Sequence, residues 1–162
     1  MPKRFVAIWF LSLKTDWFLL RNPGLKDKAF VLAAHDHGRM VITAANSIAR
    51  SQGIDKGMVL ADARAILPSL EYFDDQPQKF SRLLESIGAW CIRYTPMVAL
   101  DMPDGLILES TGCAHLWGNE AAYLDAIANI VCNDIGFNQI TRTIVIGAND
   151  IIINSICEIV RE

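Results

Sequence analysis

Met97-Val98-Ala99-Leu100-Asp101, Met102-Pro103-Asp104-Gly105 and Leu106-Ile107-Leu108-Glu109 follow one another without interruption: two short apolar runs on either side of a proline–glycine turn. Proline fixes one backbone torsion and glycine releases another, so the flanking runs are expected to fold back on each other as a hairpin. A carboxylate, Asp101, then stands at the end of the first strand, where a sheet holds side chains firmly enough for chemistry.

Upstream, Pro77 opens an expected helix over 78–94, with Phe80, Leu83, Leu84, Ile87 and Cys91 recurring at helical spacing. Downstream, the sequence predicts a helix over 120–134 closed by Gly136, a strand over 142–147 and a final helix over 150–161. At the other end, the β-branched and aromatic run Phe5-Val6-Ala7-Ile8-Trp9-Phe10 reads as a buried strand. Thr15 or Asp16 is expected to cap a helix that reaches Arg21 and stops at Asn22-Pro23-Gly24. Apolar 29–34 reads as a strand, His35-Asp36-His37-Gly38-Arg39 as a polar turn, and 40–43 as a third strand. Two short helices follow, over 44–51 and 60–67, stopped by Gly53 and Pro68. The order suits an α+β sandwich, a mainly antiparallel sheet with helices on one face.

Composition agrees with a folded domain. Of 162 residues, 52% are hydrophobic and 20% charged, a balance that excludes a disordered chain. The longest apolar stretch, 5–13, is too short to cross a bilayer, and no secretion signal opens the chain, so no membrane association is expected. Cys91, Cys113, Cys132 and Cys157 form no CxxC pair and read as reduced thiols of a cytoplasmic protein. His35, His37 and His115 do not stand at zinc-ligand spacing from them. The net charge of −3 is uneven: residues 1–28 carry +4, 29–98 balance, and 99–162 carry −7. The leading segment could therefore face phosphates and the acidic end should avoid them.

Four stretches together resemble the Y-family translesion DNA polymerases. Asn22-Pro23-Gly24-Leu25-Lys26-Asp27-Lys28 is similar to a segment following that family's first helix. Thr43-Ala44-Ala45-Asn46-Ser47-Ile48-Ala49-Arg50, with Gly53-Ile54 and Gly57-Met58, looks like its fingers motif, which 61–68 continue. Ala99-Leu100-Asp101-Met102 stands where the family carries Ser-Ile-Asp-Glu. Within the family, 98–106 and Thr111-Gly112-Cys113-Ala114-His115-Leu116-Trp117-Gly118 resemble the ImuB-type subunit of bacterial mutasomes.

The resemblance implies a ferredoxin-like palm with a small inserted fingers lobe, divided as palm 1–34, fingers 35–76 and palm 77–162. The family's thumb and little-finger domains have no counterpart here, and apolar surface left bare where a thumb would dock is expected to favour self-association. A role in DNA damage tolerance is implied, beside an error-prone C-family polymerase, a RecA-like subunit and the replication clamp, in the bacterial cytoplasm at the nucleoid.

The same comparison implies a degenerate active site. Phosphoryl transfer by two divalent ions needs several carboxylates. Trp9 stands where the first is expected, Leu11 near the second, and Met102 replaces the glutamate beside Asp101, which alone remains. Thioether sulfur is a poor ligand for Mg²⁺. Asp16, the nearest spare acid, lies on the following helix. Ser47 replaces a fingers tyrosine, and Ile152 falls where a phosphate-reaching lysine is expected. No catalytic residue and no cofactor are therefore expected, with Mg²⁺ required only if the site is active. Weak, phosphate-directed DNA contact is assigned to Arg39, Arg50 and Lys56. Trp9, Trp17, Trp90 and Trp117 read as core, and Cys113 and His115 as packing or capping residues. Two alternatives stand beside this reading: an active translesion polymerase with a rearranged metal site, and an interaction module without DNA affinity.

Overall fold

A strand that is apolar on both sides needs partners on both edges, and the first strand, β1 (Arg4–Phe10), has them. The computed structural model describes residues 3–133, 139–146, 150–152 and 156–158. In chain order after β1 come α1 (Leu13–Arg21), β2 (Phe30–Asp36), β3 (Arg39–Ala45), α2 (Ser47–Ser51), α3 (Leu60–Ile66), β4 (Glu71–Asp74) and α4 (Pro77–Cys91). Then follow β5 (Val98–Asp101), β6 (Gly105–Glu109), α5 (Glu120–Asn133), β7 (Gln139–Ile146), β8 (Asp150–Ile152) and β9 (Ile156–Glu158). They form two units: Met1–Leu11 with Gln78–Glu162, and Ser12–Pro77.

In the first unit, the sheet runs β5-β6-β1-β7-β8, with β9 also on β7, and every pairing among the described residues is antiparallel. The expected hairpin is present, with Val98 opposite Leu108 and Asp101 opposite Gly105. Directly opposed residues share a face, so Ile8, Leu106 and Leu100 lie on one side of the sheet. Gly88 of α4 meets Leu100, Leu106 and Val98 there, within 3.6 Å of where its Cβ would stand. Phe80, Leu84, Ile87 and Cys91 of α4 are buried, as are Tyr123, Leu124, Ile127 and Ala128 of α5.

The second unit has its own sheet, β3-β2-β4. Val31, Ala33, Ile42, Ala49, Ile54, Leu60 and Ala63 form its core, while Phe30 meets Phe18 of α1 and Phe73 of β4 in a ring cluster with centroids 4.6–6.3 Å apart. With partners on both faces, β2 reads as a continuous apolar run.

Several expectations are corrected. The first division falls after Leu11 rather than after residue 34, because β2 pairs with β3 and β4 and not with β1. The helix expected over 150–161 is not formed in its described part: 150–152 and 156–158 are strands on β7. Repeated isoleucines restrict χ1 and favour the pleated form. Strand β3 runs on to Ala45 and α2 starts only at Ser47, because Asn46 interrupts: its side-chain oxygen accepts from the N–H groups of Ala49 and Phe30, and its amide donates to the Lys28 carbonyl. Helix α1 starts earlier than expected, at Leu13, and neither Thr15 nor Asp16 caps it; the Thr15 hydroxyl donates back to the Ser12 carbonyl. Gly136, Gly147 and the end of the expected last helix lie outside the described residues.

Candidate functional site

Strand register decides what meets at the open face of the first unit's sheet. Trp9 of β1 stands opposite Gly105 of β6, and Gly105 opposite Asp101 of β5. One row across three strands thus reads Trp9, Gly105, Asp101, on the side away from Gly88 and α4. The turn is tied to β1, since the Phe10 N–H donates to the Asp104 carbonyl at 2.9 Å. Gly105 makes this closure fit: a Cβ there would stand 2.9 Å from the Asp101 carbonyl oxygen and 3.2 Å from its carboxylate.

The row brings together Trp9 and Asp101, with Met102 beside the latter. Trp9, Leu11 and Met102 are exposed, at 37%, 51% and 47%. Trp9 and Trp117 are thus surface residues rather than the expected core, whereas Trp17 and Trp90 are partly covered. Asp101 is exposed, and its carboxylate has neither hydrogen bond nor ion pair among the described residues. Asp16 is buried on α1.

Two hard divalent ions need a set of oxygen donors. Among the described residues, the three positions of this row carry one carboxylate, that of Asp101, with Trp9 and Gly105 at the other two. Among the described residues no three His, Cys, Asp or Glu side chains are grouped to hold a metal ion.

The expected phosphate contacts Arg39, Arg50 and Lys56 are all exposed in the second unit. Arg50, in the last turn of α2, donates to the Ser12 hydroxyl at 3.2 Å. Lys56 lies in the turn pinned to Ile42, whose carbonyl accepts from Gly57 at 2.8 Å. Arg39 starts β3, which at ~3.3 Å per residue is roughly 20 Å long, and Arg50 lies in the helix that follows its far end. His35 and His37 are exposed, as expected. Ile152 is described only as a strand position on β7, opposite Ile144.

Around Cys113 the packing expectation fits. Cys91 and Cys113 are buried free thiols. Burial pushes the Cys91 thiol up to about 11 and raises that of Cys113, with Glu109 nearby adding to the latter. Tyr123 is raised as well, by burial first and then by the neighbouring Cys113 and Cys91. His115 is exposed. Sequence reasoning missed Ser12 as the Arg50 partner and Gly105 as the spacer of the row; the turn pattern held a signal only for the second.

With this geometry in view, comparison with known proteins is informative. The sequence model of the IMS (impB/mucB/samB) family matches residues 8–152. The chain belongs to the impB/mucB/samB family. It is 46% identical over 72 residues to "Protein ImuB" of Caulobacter vibrioides (strain NA1000 / CB15N), a match covering 44% of this chain and 16% of that protein. It is 28% identical over 117 residues to DNA polymerase IV of Dehalococcoides mccartyi (strain CBDB1), covering 72% of this chain and 30% of the relative. The chain thus spans less than a third of these relatives. Among solved structures, DinB from Sulfolobus solfataricus superposes with a TM-score of 0.74 at 18% identity, over 88% of this chain and 42% of that one. An insertion ternary complex of Dbh DNA polymerase gives 0.74 at 19% identity, over 91% and 43%. This member of the impB/mucB/samB family therefore has the Y-family palm-type α+β fold.

Proposed function

We propose that this chain is a non-catalytic Y-family homologue that serves as an accessory scaffold in DNA damage tolerance and error-prone translesion synthesis. The observation that carries the reading is the row Trp9–Gly105–Asp101, with one carboxylate where two-metal chemistry needs several. The similarity to ImuB and DNA polymerase IV supports the setting. On this reading Met1–Leu11 with Gln78–Glu162 is the palm and Ser12–Pro77 the fingers lobe. Arg39, Arg50 and Lys56 make weak phosphate contacts with DNA. The partners proposed for the whole protein are an error-prone C-family polymerase, a RecA-like subunit and the replication clamp, at the nucleoid in the cytoplasm. Among the described residues no helix is long and apolar enough to cross a membrane.

Mn²⁺ binding followed by paramagnetic resonance, with a nucleoside triphosphate present, tests this on the chain and on Asp101→Ala. The expected result is no protein-dependent bound ion in either. A bound ion in the parent chain that Asp101→Ala removes would overturn the proposal and support a rearranged active site.

A further inference from the structure

Hydrogen-bond parity leaves one edge of the first unit's sheet open. Consecutive residues of a strand turn their N–H and C=O groups to alternate sides, so the bonds made on one side fix what faces the other. The Ser110 N–H donates to the Arg4 carbonyl and the Phe10 N–H to the Asp104 carbonyl, so the even-numbered residues of β6 bond β1. The Glu109 N–H donates to the Met97 carbonyl at 3.0 Å, so its odd-numbered residues bond β5. Within β5, Ala99 and Asp101 therefore turn their backbone groups to β6, and those of Val98 and Leu100 point away from the sheet. Strand β5 ends the order β5-β6-β1-β7-β8. Ala99, Leu100 and Asp101 are exposed, and among the described residues no backbone bond reaches Val98 or Leu100 from another element.

Sheet edges are usually guarded by a lysine, a proline, a bulge or charges along the strand. The second unit's sheet is guarded in this way: β4 begins and ends in acids, and β3 is bridged at Val41 by Val59. The run Val98-Ala99-Leu100 has no such guard.

This strand is complementary to itself. A second copy turned about a twofold axis normal to the sheet would pair with it antiparallel, the like faces matched. With Ala99 on the axis, Val98 meets Leu100 of the copy, and the two reciprocal pairs supply four backbone hydrogen bonds. Neighbouring registers fail. One places Leu100 against Pro96, which has no N–H to give. The other sets the two Asp101 positions roughly 8 Å apart instead of ~14 Å, where like charges repel.

Helix α4 says why the occupant is a second copy and not a lone peptide. A Cβ at Gly88 would stand 3.0 Å from Leu100 and 3.4 Å from Leu106, so α4 lies over both strands of the hairpin. At a strand spacing of ~4.8 Å, it is then about 5 Å from the axis and about 10 Å from its copy, a distance at which helices pack. A copy extends the sheet and pairs the helices together, whereas an extended peptide supplies only the strand.

We infer that this chain associates with a second copy through β5, as a twofold-symmetric dimer with Ala99 on the axis. This pairing goes beyond the accessory reading: it needs neither metal nor DNA, so the Mn²⁺ result leaves it untouched.

Sedimentation equilibrium over a concentration series tests it, with Ala99→Lys, Ala99→Cys and Met97→Cys beside the parent chain. Met97 and Ala99 are exposed, and circular dichroism checks that each variant keeps the fold. The parent should show a reversible monomer–dimer equilibrium. Ala99→Lys sets two ammonium groups against each other on the axis and should weaken it about tenfold. The two residues on the axis form a non-hydrogen-bonded pair with Cα atoms ~4.5 Å apart, within disulfide reach, whereas Met97 lies ~14 Å from its own copy. Mild oxidation should therefore cross-link Ala99→Cys into a covalent dimer, and Met97→Cys no more than the parent with its native thiols. A parent that stays monomeric even at about 1 mM, an unchanged dimer in Ala99→Lys, or equal cross-linking of the two cysteine variants would each overturn the inference.

Discussion

An added methyl group at Gly105 would collide with backbone rather than with a movable side-chain tip, since the Asp101 carbonyl oxygen lies 2.9 Å from that position. Gly105→Ala should therefore force the hairpin apart and destabilise the fold by about 1–3 kcal/mol, as overpacking does; a midpoint in urea equal to that of the parent chain would refute this. At Cys91 the quantity to follow is pH. Burial raises its thiol from the ordinary 9.0 to about 11. The folded state keeps its proton where the unfolded state has lost one, so stability should be unaffected below pH 9 and fall as pH rises toward 11. Thermal unfolding across that window should show the decline, and Cys91→Ala should make it shallower, with the raised Cys113 and Tyr123 accounting for what remains. Residues of this kind were partly legible in the sequence. Gly105 was visible as a turn residue, but its opposition to both Trp9 and Asp101 depends on register across three strands, which no local pattern encodes. Trp9 and Trp117 were misread because a large aromatic in an apolar neighbourhood looks buried whichever face it occupies.

Among the elements, α4 shows how two opposed effects can be weighed. Glycine inside a helix costs about 1 kcal/mol relative to alanine. A Cβ at Gly88 would approach the Leu100 side-chain tip at 3.0 Å, and Leu100 is 40% exposed and free to yield. Gly88→Ala should thus be neutral or mildly stabilising, whereas Gly88→Val should lower the melting temperature; a large loss with alanine would show that Leu100 is held more tightly than its exposure implies. Helix α4 and the β5–β6 hairpin were readable in advance because apolar spacing and turn chemistry agreed locally. Strand β4 was not. Its four residues, Glu71-Tyr72-Phe73-Asp74, begin and end in acids, and their parallel partner β2 is some forty positions away, with Phe30 opposite Glu71. The stretches 150–152 and 156–158, expected as helix, failed for the opposite reason: their apolar residues fit both periods, and pairing with β7 decided between them.

For the molecule as a whole, charge distribution sets the expected behaviour toward DNA. Residues 1–28 carry +4 and 99–162 carry −7, so binding through Arg39, Arg50 and Lys56 should be modest and steeply salt-dependent. Three phosphate contacts correspond to a log–log salt slope of roughly −2 to −3. Arg50→Glu should flatten it by about one. Affinity independent of salt would mean that these side chains do not meet phosphates.

The pairing of β1 also sets an order of events during synthesis. This strand is made well before its neighbours, residues 105–109 and 139–146. At ~5–20 residues per second, roughly 5–20 s pass before the first of them is made. Residues 12–77 emerge meanwhile with a core of their own, so the nascent chain holds a nearly finished lobe beside an unpaired apolar ribbon, Phe5–Phe10, that chaperones or neighbouring polysomal chains could seize. Yield in the cell should then depend on translation speed more than on the stability of the finished protein.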